Sequence, residues 1–379
     1  MKLFDVYPLM PVNILKAENC KLWDENGTEY LDFYGGHAVI SVGHSHPLYV
    51  QKITEQLNQI AFYSNSVINK LQEQLAEQLG KISGYDDYDL FLCNSGAEAN
   101  ENAFKIASFT SGKKKFITFK NSFHGRTSAS VAATDDPSII APVNETEHFI
   151  FCEWNDVKEF EQLFLENVQD LAGVIIEGIQ GIAGIQIPSK ELMEKIAELC
   201  SQNNVFFIAD EIQSGYARSG KFFAHQYFEV KPDIITVAKG MANGFPIGGI
   251  LISPKIPAKH KMLGTTFGGN HLACAAAIAV LEIIQNENLI EESFQKGEYL
   301  THKLKEIPQI REIRGKGLLI GVDFEIPSSQ VAKKLREEFK IFVGSASNPL
   351  TMRLLPPLTI SYPEMDYFIT SLKSVFNSI

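Results

Sequence analysis

Short apolar runs alternate with helical repeats through the middle of the chain. "YDLFLC" (88–93), "KKFITF" (114–119), "LAGVIIE" (171–177), "NVFFIAD" (204–210) and "DIITVA" (233–238) are runs of strand length, several of them continuous rather than alternating. Strands buried on both faces read this way, so the pattern predicts a mostly parallel sheet covered by helices. "PLYVQKITEQLNQI" and "NKLQEQLAEQLGKI" have helical spacing. Upstream, "KLWDENGTEYLDF" places Asn26-Gly27 between two apolar-containing runs, a β-hairpin signal. Near Lys261 the pattern changes to a helix-rich stretch. "GLLIGVDF", "SQVAKKLREEFK", "IFVG", "MRLLPPLTIS" and a last amphipathic helix follow.

The expected fold is therefore α/β, with a large mostly parallel-sheet domain over 47–260 and a smaller α+β domain over 261–379. A hairpin alone is marginal in water. The segment 1–46 is expected to pack with the small domain.

Composition narrows the function classes. The 379 residues are 45% hydrophobic and 21% charged, as in soluble globular proteins. A net charge of -11 argues against a nucleic-acid surface. No apolar stretch approaches a membrane span, and "MKLFDVYPLMPVNI" lacks the features of a targeting peptide. The five cysteines, Cys20, Cys93, Cys152, Cys200 and Cys274, are dispersed without C-x-x-C spacing. They read as reduced, packed thiols, which together with the N-terminus implies a cytoplasmic protein.

Three strand ends carry chemistry. In "PDIITVAKGMANGFPIGG" an apolar run ends on Lys239 and a glycine-rich loop. A lysine there either snorkels into water or stands in a dry cleft to form an imine with an aldehyde. In "YDLFLCNSGAEANENAFKIASF" a strand, a small-residue turn and a helix follow one another, with Ser95-Gly96-Ala97 at the helix start. That is an ordinary N-cap or an anion cradle, since free N–H groups and the helix dipole both favour negative charge. In "NVFFIADEIQSGYARSG", Asp210 ends a buried run with Gln213 close behind. Asp210 serves either a structural ion pair or a protonated ring nitrogen. Phosphate cradle, acid and amine together meet the needs of pyridoxal 5'-phosphate (PLP).

"NSGAEANENAFK", "SFHGRT", "FIADEIQSGYARSGKFFA", "PDIITVAKGMANGFPIGG", "TTFGGNHLAC" and "IRGKGLLIG", in this order, resemble the class III aminotransferases of the PLP fold-type-I superfamily. "YLDFYGGHAVISVGHSHP" is similar to the N-terminal region of the acetylornithine and succinylornithine aminotransferases. The resemblance implies that Lys239 carries PLP and that Asp210 pairs with its pyridine nitrogen. It implies Gln213 near the phenolic oxygen, Ser95, Gly96 and Ala97 at the phosphate, and Phe123 stacked on the ring. Arg126, Thr265, Arg353 and Glu177 are the implied substrate contacts, with Arg353 gripping the α-carboxylate of glutamate or 2-oxoglutarate. Thr266 would reach the phosphate of a neighbouring subunit in a homodimer.

The implied reaction moves the terminal amine of an N-acylornithine to 2-oxoglutarate. It gives a semialdehyde and glutamate, as a step of arginine biosynthesis. Ornithine and 4-aminobutyrate aminotransferases are alternatives, as are a PLP aminomutase or racemase and a PLP-binding regulatory module. Two departures bear on specificity. Relatives usually read E-P-I-Q-G-E-G-G where this chain has Glu177-Gly178-Ile179-Gln180-Gly181-Ile182-Ala183-Gly184. The second glutamate, which pairs with the carboxylate-binding arginine in several relatives, is Ile182 here. His37 stands where the acetylornithine enzymes commonly carry an aliphatic residue. His44 and His46 in "GHSHP" lack a third ligand at metal spacing, so a turn before a helix is expected rather than a metal site.

Overall fold

The computed structural model describes residues 1–378. It contains fourteen strands among those residues: β1 (Ile14–Glu18), β2 (Lys21–Asp24), β3 (Glu29–Phe33), β4 (Asp89–Cys93), β5 (Lys115–Phe119), β6 (Phe149–Cys152), β7 (Leu171–Glu177), β8 (Phe206–Asp210), β9 (Ile234–Val237), β10 (Gly248–Ile252), β11 (Ile310–Lys316), β12 (Leu319–Phe324), β13 (Ile341–Ser345) and β14 (Thr351–Leu354). They form two seven-stranded sheets.

The larger unit is built on the order β4-β10-β9-β8-β7-β5-β6. Pairings from β9 through β6 are parallel, whereas β10 is antiparallel to both β4 and β9. All seven residues of β7 are buried, which explains its unbroken apolar run. Helices cover the sheet. Gly96–Ser111 packs on β7, β9 and β10, and buries Ala99, Asn100, Ala103, Phe104, Ile106 and Ala107. Lys190–Asn203 and Val157–Asn167 pack on each other and against the sheet. Each fully buried Leu or Phe in these layers contributes about 1.5–3 kcal/mol over leaving it exposed.

The second sheet has the order β1-β2-β3-β13-β14-β12-β11. Asp24 folds the hairpin between β2 and β3, its carboxylate accepting from the Asn26 and Thr28 N–H groups at 2.9 and 2.8 Å. β3 then pairs in parallel with β13, matching Leu31 to Ile341. Strands from the two ends of the chain thus share one sheet.

The helix His271–Asn286 is apolar on nearly every face, and it is buried against the helices Pro47–Gln59 and Lys70–Ser83. Among the described residues no single helix is long and apolar enough to cross a membrane. The five cysteines are buried and unbonded. His44 Nε2 lies 2.9 Å from Asp32, and His46 Nε2 lies 2.7 Å from Glu287, just ahead of the helix that starts at Pro47.

Candidate active site

The carboxyl ends of parallel strands are where open α/β sheets bind ligands. Here β4, β7, β8 and β9 deliver Asn94, Glu177, Asp210 and Lys239 to the same edge of the sheet. Because β10 runs the other way, the loop before it, Phe245 to Ile247, reaches that edge too. A cavity of about 410 Å³ opens there, lined by Ser95, Gly96, Ala97, Phe123, Arg126, Glu177, Asp210, Gln213 and Lys239 among others. Nine residues singled out from the sequence thus share one cleft.

Its floor begins at a helix N-terminus. Ser95 caps the helix Gly96–Ser111, its hydroxyl accepting from Glu98 N–H at 3.2 Å. The N–H groups of Gly96 and Ala97 have no partner among the described residues and remain for an anion. β10 starts close by. A Cβ on Gly248 would stand 2.4 Å from the Ser95 carbonyl oxygen, so only glycine lets β10 approach this turn.

Asp210 is buried and heavily held. Oδ2 accepts from His124 Nδ1 at 2.7 Å and Asn100 Nδ2 at 2.9 Å, and Oδ1 accepts from Ile212 N–H at 3.0 Å. The side chain of the next residue, Glu211, turns to the opposite face, as strand alternation requires. It is spent on Ser214, His225 and the Ala224 N–H. Of two adjacent carboxylates, only Asp210 faces the cleft.

Glu177 accepts from the Phe123 and Gly181 N–H groups at 3.1 and 2.9 Å. Burial pushes its pKa up to about 7 and the nearby Asp210 adds to the rise, against the opposing pull of His124 and the two N–H donors. Lys239 follows β9 with a left-handed φ of 45°, a strained conformation for a residue with a Cβ. Desolvation lowers its pKa, while Asp210 and Glu177 pull the other way. The loop beyond it is clamped by the N-terminal segment, since Asn243 Oδ1 accepts from Ser41 and Val42 N–H.

Arg353, on β14, is 1% exposed and comes within reach of the cleft through a neighbour: its Nη1 donates to Gln213 Oε1 at 3.3 Å. Its Nε donates to the Ser345 carbonyl. No carboxylate pairs with it among the described residues. Burial holds its pKa down. Arg126 lines the cleft and is exposed, 5.9 Å from the Phe123 ring centroid. Thr265 touches the cleft through Asn94, whose Nδ2 lies 3.3 Å from Thr265 Oγ1. Thr266 is exposed and joins no part of this chain's own cleft.

His124, Asn94 and Asn100 were not singled out from the sequence. His124 lies between Phe123 and Arg126 in "SFHGRT", and nothing local shows that its ring turns inward to Asp210. Asn100 left a readable signal, a polar residue beside the apolar helix stripe.

The residues fit pyridoxal phosphate. A cleft with free amides at one end, a buried acid held by three donors and a desolvated lysine meets its three functional groups. The comparisons with known proteins agree. The class-III aminotransferase family model matches residues 5–376. The acetylornithine aminotransferase of Bacillus subtilis is 38% identical over 382 residues, covering 98% of this chain and 96% of that protein. The crystal structure of ornithine aminotransferase from Toxoplasma gondii ME49 superposes with a TM-score of 0.92 at 30% identity, covering 99% of this chain and 92% of that one. Acetylornithine aminotransferase from Elizabethkingia anophelis gives a TM-score of 0.86 at 30% identity, covering 100% and 96%. With its two-sheet fold-type-I architecture and a cleft built for pyridoxal phosphate, this chain belongs to the class-III aminotransferases.

Proposed function

We propose that this PLP-dependent aminotransferase moves the terminal amine of an N-acylornithine to 2-oxoglutarate. The observation that carries the reading is Arg353, a buried guanidinium without an acid partner that is joined through Gln213 to the cleft of Lys239 and Asp210. A buried cation so placed is a receptor for a carboxylate.

Bound pyridoxal phosphate supplies an aldehyde that joins amines and a protonated ring that accepts electron density. The Gly96 and Ala97 amides would hold its phosphate, and Phe123, in the same cleft, would pack on its ring. Asp210 would keep the ring nitrogen protonated, its carboxylate oriented by His124 and Asn100. Lys239 would be the attachment point. With its pKa lowered by desolvation, more of Nζ is the free amine that takes and returns a proton. Arg353 and Arg126 together would suit the two carboxylates of a dicarboxylate.

The enzyme works as a homodimer in this reading, with Thr266 reaching the partner's phosphate site. Exposed Phe62, Tyr63, Val67, Ile68 and Phe267 near Thr266 support a surface that a second copy covers. The unbonded cysteines suit a cytoplasmic setting, and the product suits arginine biosynthesis.

The test is a panel of amines offered to the PLP form: acetylornithine, succinylornithine, ornithine and 4-aminobutyrate. Conversion to the pyridoxamine form, followed by absorbance, is expected with an acylornithine and reversed by 2-oxoglutarate. Faster conversion by ornithine or 4-aminobutyrate would reassign the amine donor. Mixing inactive Lys239→Ala and Thr266→Ala subunits should restore activity in hybrid dimers; no recovery after proven subunit exchange would remove Thr266 from the partner's site.

A further inference from the structure

The turn after β3 is wound left-handed. Gly35, Gly36, His37 and Ala38 have φ values of 54°, 55°, 67° and 64°. Such backbone strains any residue with a Cβ, though histidine tolerates it better than most. Strain of this kind persists only where the surroundings impose it. Here Asp32 imposes it from behind: Oδ1 accepts from the Tyr34 and Gly35 N–H groups at 2.9 and 2.8 Å, and Oδ2 is held by His44. In front, Gln213 Nε2 donates to the His37 carbonyl at 3.2 Å. The same Gln213 accepts from Arg353 on its other atom. One glutamine therefore ties the strained turn to the arginine.

The side chains of the turn are paired. Tyr34 Oη lies 2.5 Å from His37 Nε2, with the rings edge-on. A neutral tyrosine and a neutral histidine carry two polar protons between them. One is spent in the pair, which leaves a single donor for a ligand; protonation of the imidazole leaves two. The charges facing His37 are Arg353 from β14 and Lys239 from the loop after β9, with Tyr34 on its own turn. Glu177 acts on both cations from the end of β7, and Asp32 acts on Tyr34. His37 keeps an exposed face; partial desolvation of its ring, then Arg353 and Lys239, hold its pKa below the ordinary value. Burial raises that of Tyr34, which keeps its proton. A carboxylate docked on Arg353 cancels one of the opposing positive charges and favours the imidazolium.

We propose that Tyr34 and His37 are specificity-determining residues that complete, with Arg353, the compartment for one carboxylate of the dicarboxylate co-substrate, and that binding there is coupled to proton uptake by His37. With isoleucine at position 182, no acid forms an ion pair with the arginine among the described residues, and Glu177 acts on it only at a distance. The ligand itself then draws the proton that sets the second donor. The inference rests on the reading of Arg353 as a carboxylate holder.

Glutarate is the probe, because it has both carboxylates and neither the amine nor the keto group needed to react. Its binding to the PLP-loaded enzyme is measured by calorimetry in buffers of different ionisation heat. The variants are His37→Asn, which tolerates the left-handed backbone, Tyr34→Phe and Arg353→Ala. The cofactor's own protonation is followed by absorbance and subtracted. The parent is expected to take up protons on binding, and His37→Asn to lose that uptake. Near pH 6 the variant should bind about tenfold more weakly, the scale of one charge-assisted hydrogen bond, and near pH 8.5 the two should converge. Tyr34→Phe should weaken binding while keeping some uptake. If His37→Asn retains the parent's affinity and proton uptake, the inference is wrong even though Arg353→Ala loses binding. If Arg353→Ala binds glutarate as well as the parent, or the parent binds none, the carboxylate reading of Arg353 fails as well.

Discussion

Glu177 and Asp210 are direct partners in the ladder between β7 and β8, two carboxylates side by side at the carboxyl edge of the sheet. Their surroundings differ. Asp210 is met by an imidazole, an amide and a backbone N–H, whereas Glu177 has two backbone donors and is pushed up to about 7.

A carboxyl raised above its ordinary value of 4.5 binds a proton in the folded state that the unfolded chain releases. Its contribution to stability is full below about pH 4.5 and is lost as pH rises through about 7. Glu177→Gln removes that dependence. In cofactor-free protein, urea unfolding from pH 5 to 8 should show the variant gaining on the parent with rising pH, by on the order of 3 kcal/mol across the range. A constant difference would mean that Glu177 ionises normally.

Asp210→Asn preserves shape and removes the charge. Cofactor should remain bound, since the Gly96 and Ala97 amides are untouched. Single-turnover conversion by an acylornithine should slow by about 10²–10³-fold, the scale of losing one preorganised electrostatic contact. A rate within a fewfold of the parent's would show that the ring nitrogen is held by another group.

Ile182 is linked to the arginine by one segment. Its carbonyl accepts from Ser347 N–H at 2.9 Å, and Ser345 in turn accepts from Arg353. A glutamate at 182 would give Arg353 an internal partner that 2-oxoglutarate must displace. Ile182→Glu should raise the 2-oxoglutarate dissociation constant several-fold, matching a partly exposed ion pair of about 1 kcal/mol. The acylornithine half-reaction should change less. Unaltered 2-oxoglutarate binding would show that this side chain does not reach Arg353.

Gly181 is closed to a side chain by Gln213. An added Cβ would stand 1.8 Å from Gln213 Oε1, the atom that accepts from Arg353. Gly181→Ala should displace Gln213 and free both Arg353 and the His37 carbonyl. Glutarate affinity is expected to fall about tenfold, roughly one charged hydrogen bond, with a smaller loss of PLP affinity, since Gln213 also lines the cofactor cleft. Equal losses for both ligands would point to general unfolding of the loop instead.

Local pattern determined much of this protein. Apolar runs marked β4, β5, β7, β8 and β9, and the run is unbroken where the strand is covered on both faces, as in β7. The chemistry at their ends was legible for the same reason: Lys239, Asp210 and Ser95 interrupt those runs where a buried strand has no use for them. The sequence pattern does not mark β6, which is four residues long and only partly buried, or β10, which opens on two glycines. The antiparallel direction of β10, which brings Phe245–Ile247 to the cleft, has no local signal at all.

What only the tertiary structure decided are the pairings between distant segments. His124 and Asn100 converge on Asp210, Gln213 joins Arg353 to the turn at His37, and β3 joins β13. Sequence periodicity tells which face of an element is buried. It does not tell which partner covers that face, because the choice depends on how whole layers pack and on which buried polar groups can satisfy one another.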